Sequence, residues 1–232
     1  SRARELVQQA LPLRYEENDR AGAINLINSL GGVSDSLGEP DKALEYFEQA
    51  LKEWRKLDES QRDQRREAVL LQNLAVASDK LGQWEKAREY YDQALALFSE
   101  GDSARSATLD SKGDLYASFG DLEKARDCYE EALRILPAEK FDLDIKAGIL
   151  VHMGQLAALQ DKLASAVSNF EQARELKPQP PRLAGVLTNL GVALAAQGKL
   201  QEAMAAYNEA LNIQLKLEDK KGQALTLQKR GE

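Results

Sequence analysis

Residues 119–137 read FGDLEKARDCYEEALRILP, and they hold the only cysteine of the chain among acidic and basic side chains. Taken alone the stretch suggests a reactive thiol in a charged setting. Its relatives elsewhere in the sequence give it another meaning. SLGEPDKALEYFEQALKEW starts at Ser36, KLGQWEKAREYYDQALALF at Lys80, LQDKLASAVSNFEQARELKP at Leu159 and AQGKLQEAMAAYNEALNI at Ala196. Each copy carries an alanine, an aromatic residue four positions on, and a second alanine three beyond that. The columns are Ala43, Ala87, Ala125, Ala166 and Ala203; then Phe47, Tyr91, Tyr129, Phe170 and Tyr207; then Ala50, Ala94, Ala132, Ala173 and Ala210. Successive copies are 44, 38, 41 and 37 residues apart. Self-similarity at such a period is the mark of a repeat architecture.

Each copy is preceded by a partner segment: INLINSLGGVSDSLG, LLQNLAVASDKLG, TLDSKGDLYASFG, ILVHMGQLAALQD and VLTNLGVALAAQG. Leu187, Leu190 and Leu194 fall three and four apart, as do Leu122, Ala125, Tyr129, Ala132, Leu133 and Leu136, so both segments predict amphipathic helices. Strong helix formers fill them. A Gly-Asp or Gly-Gln pair between the two predicts a tight turn, and the unit is a helical hairpin. Gly31, Ala75, Gly113, Gly154 and Gly191 in the first helices let the axes approach, and the aromatics are expected to fill the wedge toward the next hairpin. One hairpin cannot bury its apolar face alone; stacked hairpins build a continuous core.

This pattern of Leu-Gly, Ala, aromatic and Ala resembles the tetratricopeptide repeat over nearly the whole chain. The resemblance implies an all-α fold, a right-handed superhelical solenoid of antiparallel helix hairpins. Repeats are expected at about 19–58, 63–100, 103–137, 143–178 and 181–217, with partial repeats at 1–14 and 218–232, in one solenoid spanning 1–232. Departures from the family pattern are Ile27, Leu71, Leu109, Leu150 and Leu187 at its tryptophan position, and closing prolines only at Pro137 and Pro178. The long repeats are similar to those of kinesin light chains, spindle-orientation adaptors and bacterial sensor proteins. NDRAGAINLINSLGG from Asn18 is echoed by EDKKGQALTLQKRGE from Glu218, so the sequence is expected to be a fragment of a longer protein.

Composition narrows the function classes. The 232 residues are 43% hydrophobic and 30% charged, with 31 Lys+Arg against 38 Asp+Glu, a net charge of −7. That balance suits a folded protein and disfavours nucleic acid or anionic membranes as main partners. No apolar run reaches the ~20 residues of a membrane span. A single cysteine forms no internal disulfide, and the expected location is cytoplasmic. Cys128 and His152 are the one nucleophile–imidazole combination, without an orienting third group or oxyanion-hole turn, and Cys128 reads as a packing residue. One His and one Cys make no zinc site, and there is no phosphate-binding glycine motif. No catalytic residue, cofactor or metal is implied, and the chain is not expected to be an enzyme.

Binding is the better expectation. In the family the first helices line a concave groove, and the resemblance carries that role to Asn28, Asn73, Asp79, Asp110, Ser111, Asp114, His152, Gln155 and Asn189. The column Ser29, Asn73, Ser111, His152 and Asn189, continuing at Lys229, is polar in every repeat, and amides can both donate to and accept from a peptide backbone. Asp35, Asp79, Asp110 and Asp114 bias the first three repeats toward basic partners. The last two are expected to present Val151, Gln155, Thr188 and Val192. The clamp by which some members grip an acidic C-terminus is not matched: its positions hold Asn28, Gly32 and Ser111, with Asn73 alone agreeing. The expected function is a protein-interaction scaffold that binds a peptide or helical segment of a partner in the groove. The alternative is a sensor or regulatory module of a larger protein whose effector enzyme domain lies outside this chain. Uncapped array ends would also allow self-association.

Overall fold

The structure, a computed structural model, describes residues 2–136 and 142–231. Among the described residues there are twelve α-helices and no strand. They fall into two compact units, residues 1–115 and 116–232. Pro137, one of the two expected closing prolines, lies outside the described residues.

The first unit holds α1 (Arg2–Glu16), α2 (Arg20–Ser36), α3 (Pro40–Trp54), a 3₁₀ turn at Glu59–Gln61, α4 (Gln64–Lys80), α5 (Trp84–Leu97) and most of α6 (Ser103–Ser118). α2 packs on α3 and α4 on α5 as hairpins, α3 packs on α4 between them, and α1 packs on α2. The second unit holds the end of α6, then α7 (Leu122–Ile135), α8 (Leu143–Leu159), α9 (Leu163–Glu175), α10 (Pro180–Ala196), α11 (Leu200–Lys216) and α12 (Lys220–Arg230). Its hairpins are α8 with α9 and α10 with α11, while α7 packs on α8, α9 on α10, and α12 on both α10 and α11.

Local sequence explains the helix ends. Asp19 accepts from the Gly22 amide at 2.8 Å and Asp219 from the Gly222 amide at 2.9 Å, each capping the helix that follows. The turn from α4 to α5 passes through Gly82 at φ +70°, where a side chain would be strained; the equivalent turn from α8 to α9 places Asp161 there, at φ +58°. Aspartate is among the few side chains that tolerate this region.

The alanine columns are the tightest part of each core: Ala43, Ala50, Ala87, Ala94, Ala125, Ala132, Ala166, Ala173 and Ala210 are all 0% exposed. The aromatic column fills space on two sides. Phe47 packs among Leu70, Leu71 and Leu74 of the next hairpin, and Phe170 among Leu190, Ala193 and Leu194. The same rings also press on the small residue of their own first helix. A Cβ added at Gly31 would stand 2.3 Å from the Phe47 ring, one at Gly154 2.5 Å from Phe170, and one at Gly191 2.6 Å from Tyr207. The wedge toward the next hairpin is thus only half of what the aromatics do.

These contacts sort the helical glycines. Gly185 in α10 and Gly32 in α2 have open space where a Cβ would go. Gly185→Ala therefore gains helix propensity alone, ~1 kcal/mol, and should raise the thermal midpoint by about 2–4 °C. Gly154→Ala gains the same propensity but forces the Phe170 ring aside, which costs about 1–3 kcal/mol and should lower the midpoint. Thermal unfolding followed by circular dichroism checks both signs; two shifts of the same sign would contradict the packing account.

Candidate functional site

Of the expected binding residues on the first helices, Asp114 and Gln155 are exposed, and Asn28, Asn73, Asp79, Asp110, Ser111, His152 and Asn189 are half-buried. In the first unit Asn73 Nδ2 of α4 donates to Asn28 Oδ1 of α2 at 2.9 Å, so the two amides are a linked pair across neighbouring hairpins. The bond leaves the Asn28 NH₂ and the Asn73 oxygen for other partners. Ser29 turns its hydroxyl back to the Asn25 carbonyl at 2.8 Å. Asp35 is engaged by the Lys80 ammonium at 2.6 Å, which neutralises one carboxylate of the expected acidic series.

Tyr91 of α5 is 1% exposed; burial, then the negative fields of Asp79 and Asp114, push its hydroxyl well above the usual phenol range, with Ser111 opposing and Asp110 adding to the rise. The Ser111 hydroxyl donates a hydrogen bond to the Ala107 carbonyl at 3.1 Å. Asp79 is half-buried, and loss of hydration raises its pKa above the ordinary carboxylate value, with Lys80 opposing weakly. The ionised carboxylate is thus held where water solvates it poorly. A smaller cleft of about 180 Å³ opens between α2, α3 and α4, lined by Ile24, Asn28, Trp54, Arg66 and Val69 among others. Trp54 is 1% exposed and its Nε1–H has no acceptor among the described residues.

The second unit carries a larger cleft of about 500 Å³. α8 supplies Gln155, Ala158 and Leu159, α10 supplies Asn189, Val192 and Ala196, and Lys229 of α12 stands on the wall. Leu159 is 69% exposed and Val192 38%. Gln155 and Asn189, two of the residues singled out in the sequence, therefore share one cavity with the lysine that continues their column. His152 lies outside that lining; its ring packs against Tyr129 with centroids 5.9 Å apart.

Two expectations about the first helices need correction. Thr188 does not face the exposed side: it is 6% exposed beneath α12. Its hydroxyl donates to the Ala184 carbonyl at 2.9 Å and accepts from Thr226, 2.9 Å away, which in turn accepts from Gln214 Nε2 at 3.0 Å. Val151 is half-buried and packs against the core formed with Ala147, Leu150, Ala173 and Val186. The polar residue at 188 made an exposed face look natural, but α12 covers it and supplies its hydrogen-bond partner. Sequence reasoning placed Tyr91 in the packing column and gave Trp54 no role; both are core aromatics, and their polar atoms carry no periodic signal. Among the described residues no group of three or more His, Cys, Asp or Glu is placed to hold a metal ion, and no helix is long and apolar enough to cross a membrane.

A hairpin repeated with alanine and aromatic columns in register can be compared directly with known proteins. One tetratricopeptide repeat model matches residues 65–138 and 146–216, and a second matches residues 26–59. The chain belongs to the tetratricopeptide repeat family. Members of this family support protein interaction in general and are typically non-catalytic. Among solved structures the chain is similar to BtubC (BKLC) from P. vanneervenii, with 21% identity and a TM-score of 0.75 over 94% of this chain and 90% of that one. It is also similar to PilF of Pseudomonas aeruginosa, with 19% identity and a TM-score of 0.63 over 90% of each chain. The Cut9–Hcn1 hetero-tetramer of the APC/C gives 16% identity and a TM-score of 0.69 over 97% of this chain and 39% of that one. These likenesses establish the fold. A comparison with curated proteins finds no match.

The half-buried aspartate of this tetratricopeptide chain gives a pH-dependent prediction. Because burial raises the folded-state pKa of Asp79, its contribution is most favourable below the unfolded carboxylate value and falls as pH rises through the folded one. At neutral pH the ionised group is a net cost, which Asp79→Asn removes. The variant should unfold about 2–4 °C higher at pH 7, a change of order 1 kcal/mol. The advantage should shrink as the pH is lowered toward ~3.9. An equal shift at every pH would mean that the charge is not its source.

Proposed function

We propose that the chain is an interaction scaffold that holds an extended or helical segment of a partner protein against the exposed strips of its first helices. The observation that carries this reading is the cleft of the second unit. It leaves Leu159 and Val192 in water beside the amides of Gln155 and Asn189. Exposed apolar side chains flanked by a few convergent polar groups are what a peptide-binding surface requires. Apolar anchors would supply affinity as they are desolvated, at about 25 cal/mol for each Å² covered. Side-chain amides would pair with the backbone of the bound segment. In the first unit the poorly hydrated Asp79, with Asp110 and Asp114 near the same tyrosine, favours a lysine or arginine of the partner, since an incoming cation would replace the hydration that Asp79 lacks.

Affinity capture with quantitative mass spectrometry tests the assignment. The wild-type chain should recover a reproducible set of proteins that Val192→Asp loses, because a charge placed in the cleft opposes apolar docking. Asp79→Asn combined with Asp110→Asn and Asp114→Asn should reduce recovery several-fold, and more at low than at high ionic strength, as expected for charges near the surface. Glu171→Lys, on the exposed side of α9, should change nothing. Equal helicity by circular dichroism shows that each variant is folded. Recovery from folded Val192→Asp that equals wild type would overturn the proposal.

A further inference from the structure

The second cleft has a sign, and it opposes that of the chain. The protein as a whole carries a net charge of −7, yet no carboxylate lines this cavity among the described residues. Its single ionic group is the Lys229 ammonium, delivered by the last turn of α12 to the wall that α8 and α10 share. That placement depends on the buried Thr188–Thr226–Gln214 chain of hydrogen bonds, which pins α12 to α10 and α11 three residues before Lys229. Neighbouring Arg230 turns instead to Asn208 Oδ1 of α11 at 3.0 Å, so the two consecutive cations of the helix end serve different places. Lys229 is solvent-exposed and makes no ion pair or hydrogen bond among the described residues.

Around it the cavity is aliphatic: Ala158, Leu159, Val192 and Ala196, with the Phe170 ring beneath and the amides of Gln155 and Asn189 interspersed. We infer that the second-unit cleft selects a partner segment in which an aliphatic side chain stands directly beside a carboxylate, the first seated between Leu159 and Val192 and the second on Lys229. The inference rests on the reading of this cleft as a docking surface and adds its ligand class. A lone cation on an apolar rim discriminates by charge at modest gain in affinity, because an acidic group finds a partner there while a basic one loses hydration beside a like charge. Gln155 and Asn189 accept either sign, so Lys229 decides the choice. The volume of about 500 Å³ is large enough to take side chains of a bound segment.

Two fluorescein-labelled nonapeptides of alternating leucine and glutamate, or leucine and lysine, separate the possibilities. Both are amidated at the C-terminus so that charge lies only on side chains. Fluorescence anisotropy with the full chain at low salt should show the glutamate peptide binding at least tenfold tighter than its lysine twin. Lys229→Glu should invert that order, and Lys229→Gln should bring the two peptides within about twofold. Val192→Asp should abolish binding of the glutamate peptide whatever residue stands at 229. If Val192→Asp abolishes binding but Lys229→Glu leaves the order of the peptides unchanged, the cleft docks segments and the assigned ligand class is wrong. If Val192→Asp leaves glutamate-peptide binding intact, the docking surface itself is wrong. Failure of both peptides to bind at millimolar protein overturns the inference.

Discussion

In the hairpins α2–α3, α4–α5, α8–α9 and α10–α11 an aromatic ring of the second helix presses on a residue of the first helix that must be small. Phe47 over Gly31, Phe170 over Gly154 and Tyr207 over Gly191 leave no room for a Cβ. The closeness of this approach fixes the distance between the two helix axes and the rotation of the first helix about its own axis. Once rotation is fixed, the exposed strip is fixed as well. Gln155 follows Gly154 by one residue and Val192 follows Gly191 by one, and both line the same cleft. The packing contact and the candidate binding surface are consecutive positions on one helix. In the second hairpin the small residue is Ala75 rather than glycine, and Tyr91 packs against it with Ala87 and Leu115. An extra methyl is accommodated there.

Polar side chains inside this apolar frame act chiefly on register. An unsatisfied buried polar group costs about 1–3 kcal/mol, so a buried hydrogen-bond chain favours the one helix placement that satisfies it. Thr188, Thr226 and Gln214 do this for α12. At the other end Arg4 of α1 reaches Ser34 Oγ at 3.2 Å and pairs with the Glu39 carboxylate, holding α1 against α2. The pair lowers the pKa of Glu39 and raises that of Arg4, the direction expected when each charge stabilises the other. α1 and α12 are thus each held by side-chain bonds as well as by helix packing.

Hairpins were legible in the sequence because packing acts on columns. Ala43, Ala87, Ala125, Ala166 and Ala203 recur for one physical reason, and a recurring reason leaves a recurring residue. The helix-to-helix turn was legible even where glycine is replaced, since Asp161 stands in register with Gly82. The strip was legible only in part. Gln155 and Asn189 do share a cleft, but Thr188, also polar and also at helical spacing, is buried under α12. Nothing in the spacing separates them, because exposure there is decided by which later helix covers the position. The Asn28–Asn73 bond and the action of Asp79, Ser111 and Asp114 on Tyr91 were equally hidden. They join residues whose separation in sequence reflects loop lengths rather than any pattern in the helices. Lys80 on Asp35 shows the same limit from the other side, since a carboxylate counted as available in sequence already has its cation.

The two units place opposite charges on surfaces built by the same rule. In the first, the negative fields of three aspartates act on a buried tyrosine hydroxyl and one of them is poorly hydrated; in the second, a lone lysine lines an aliphatic cleft. Neither charge contributes to the packing of the repeat, which alanine, glycine and the aromatic rings already determine. The repeat can therefore carry either sign at these positions without altering its core, which is how a shared scaffold serves unrelated ligands. On the proposed reading affinity and selectivity would rest on different residues. Leu159 and Val192 would offer desolvation to an apolar side chain, whereas Lys229 and Asp79 would distinguish partners by charge while adding little to the strength of binding. Evolving a new specificity on such a surface requires changing the charge at the rim and leaving the floor alone. The residues that hold the hairpin and those that line the cleft, Gly154 with Gln155 and Gly191 with Val192, stand one position apart on the helix, yet they are separable because they point to different sides of it.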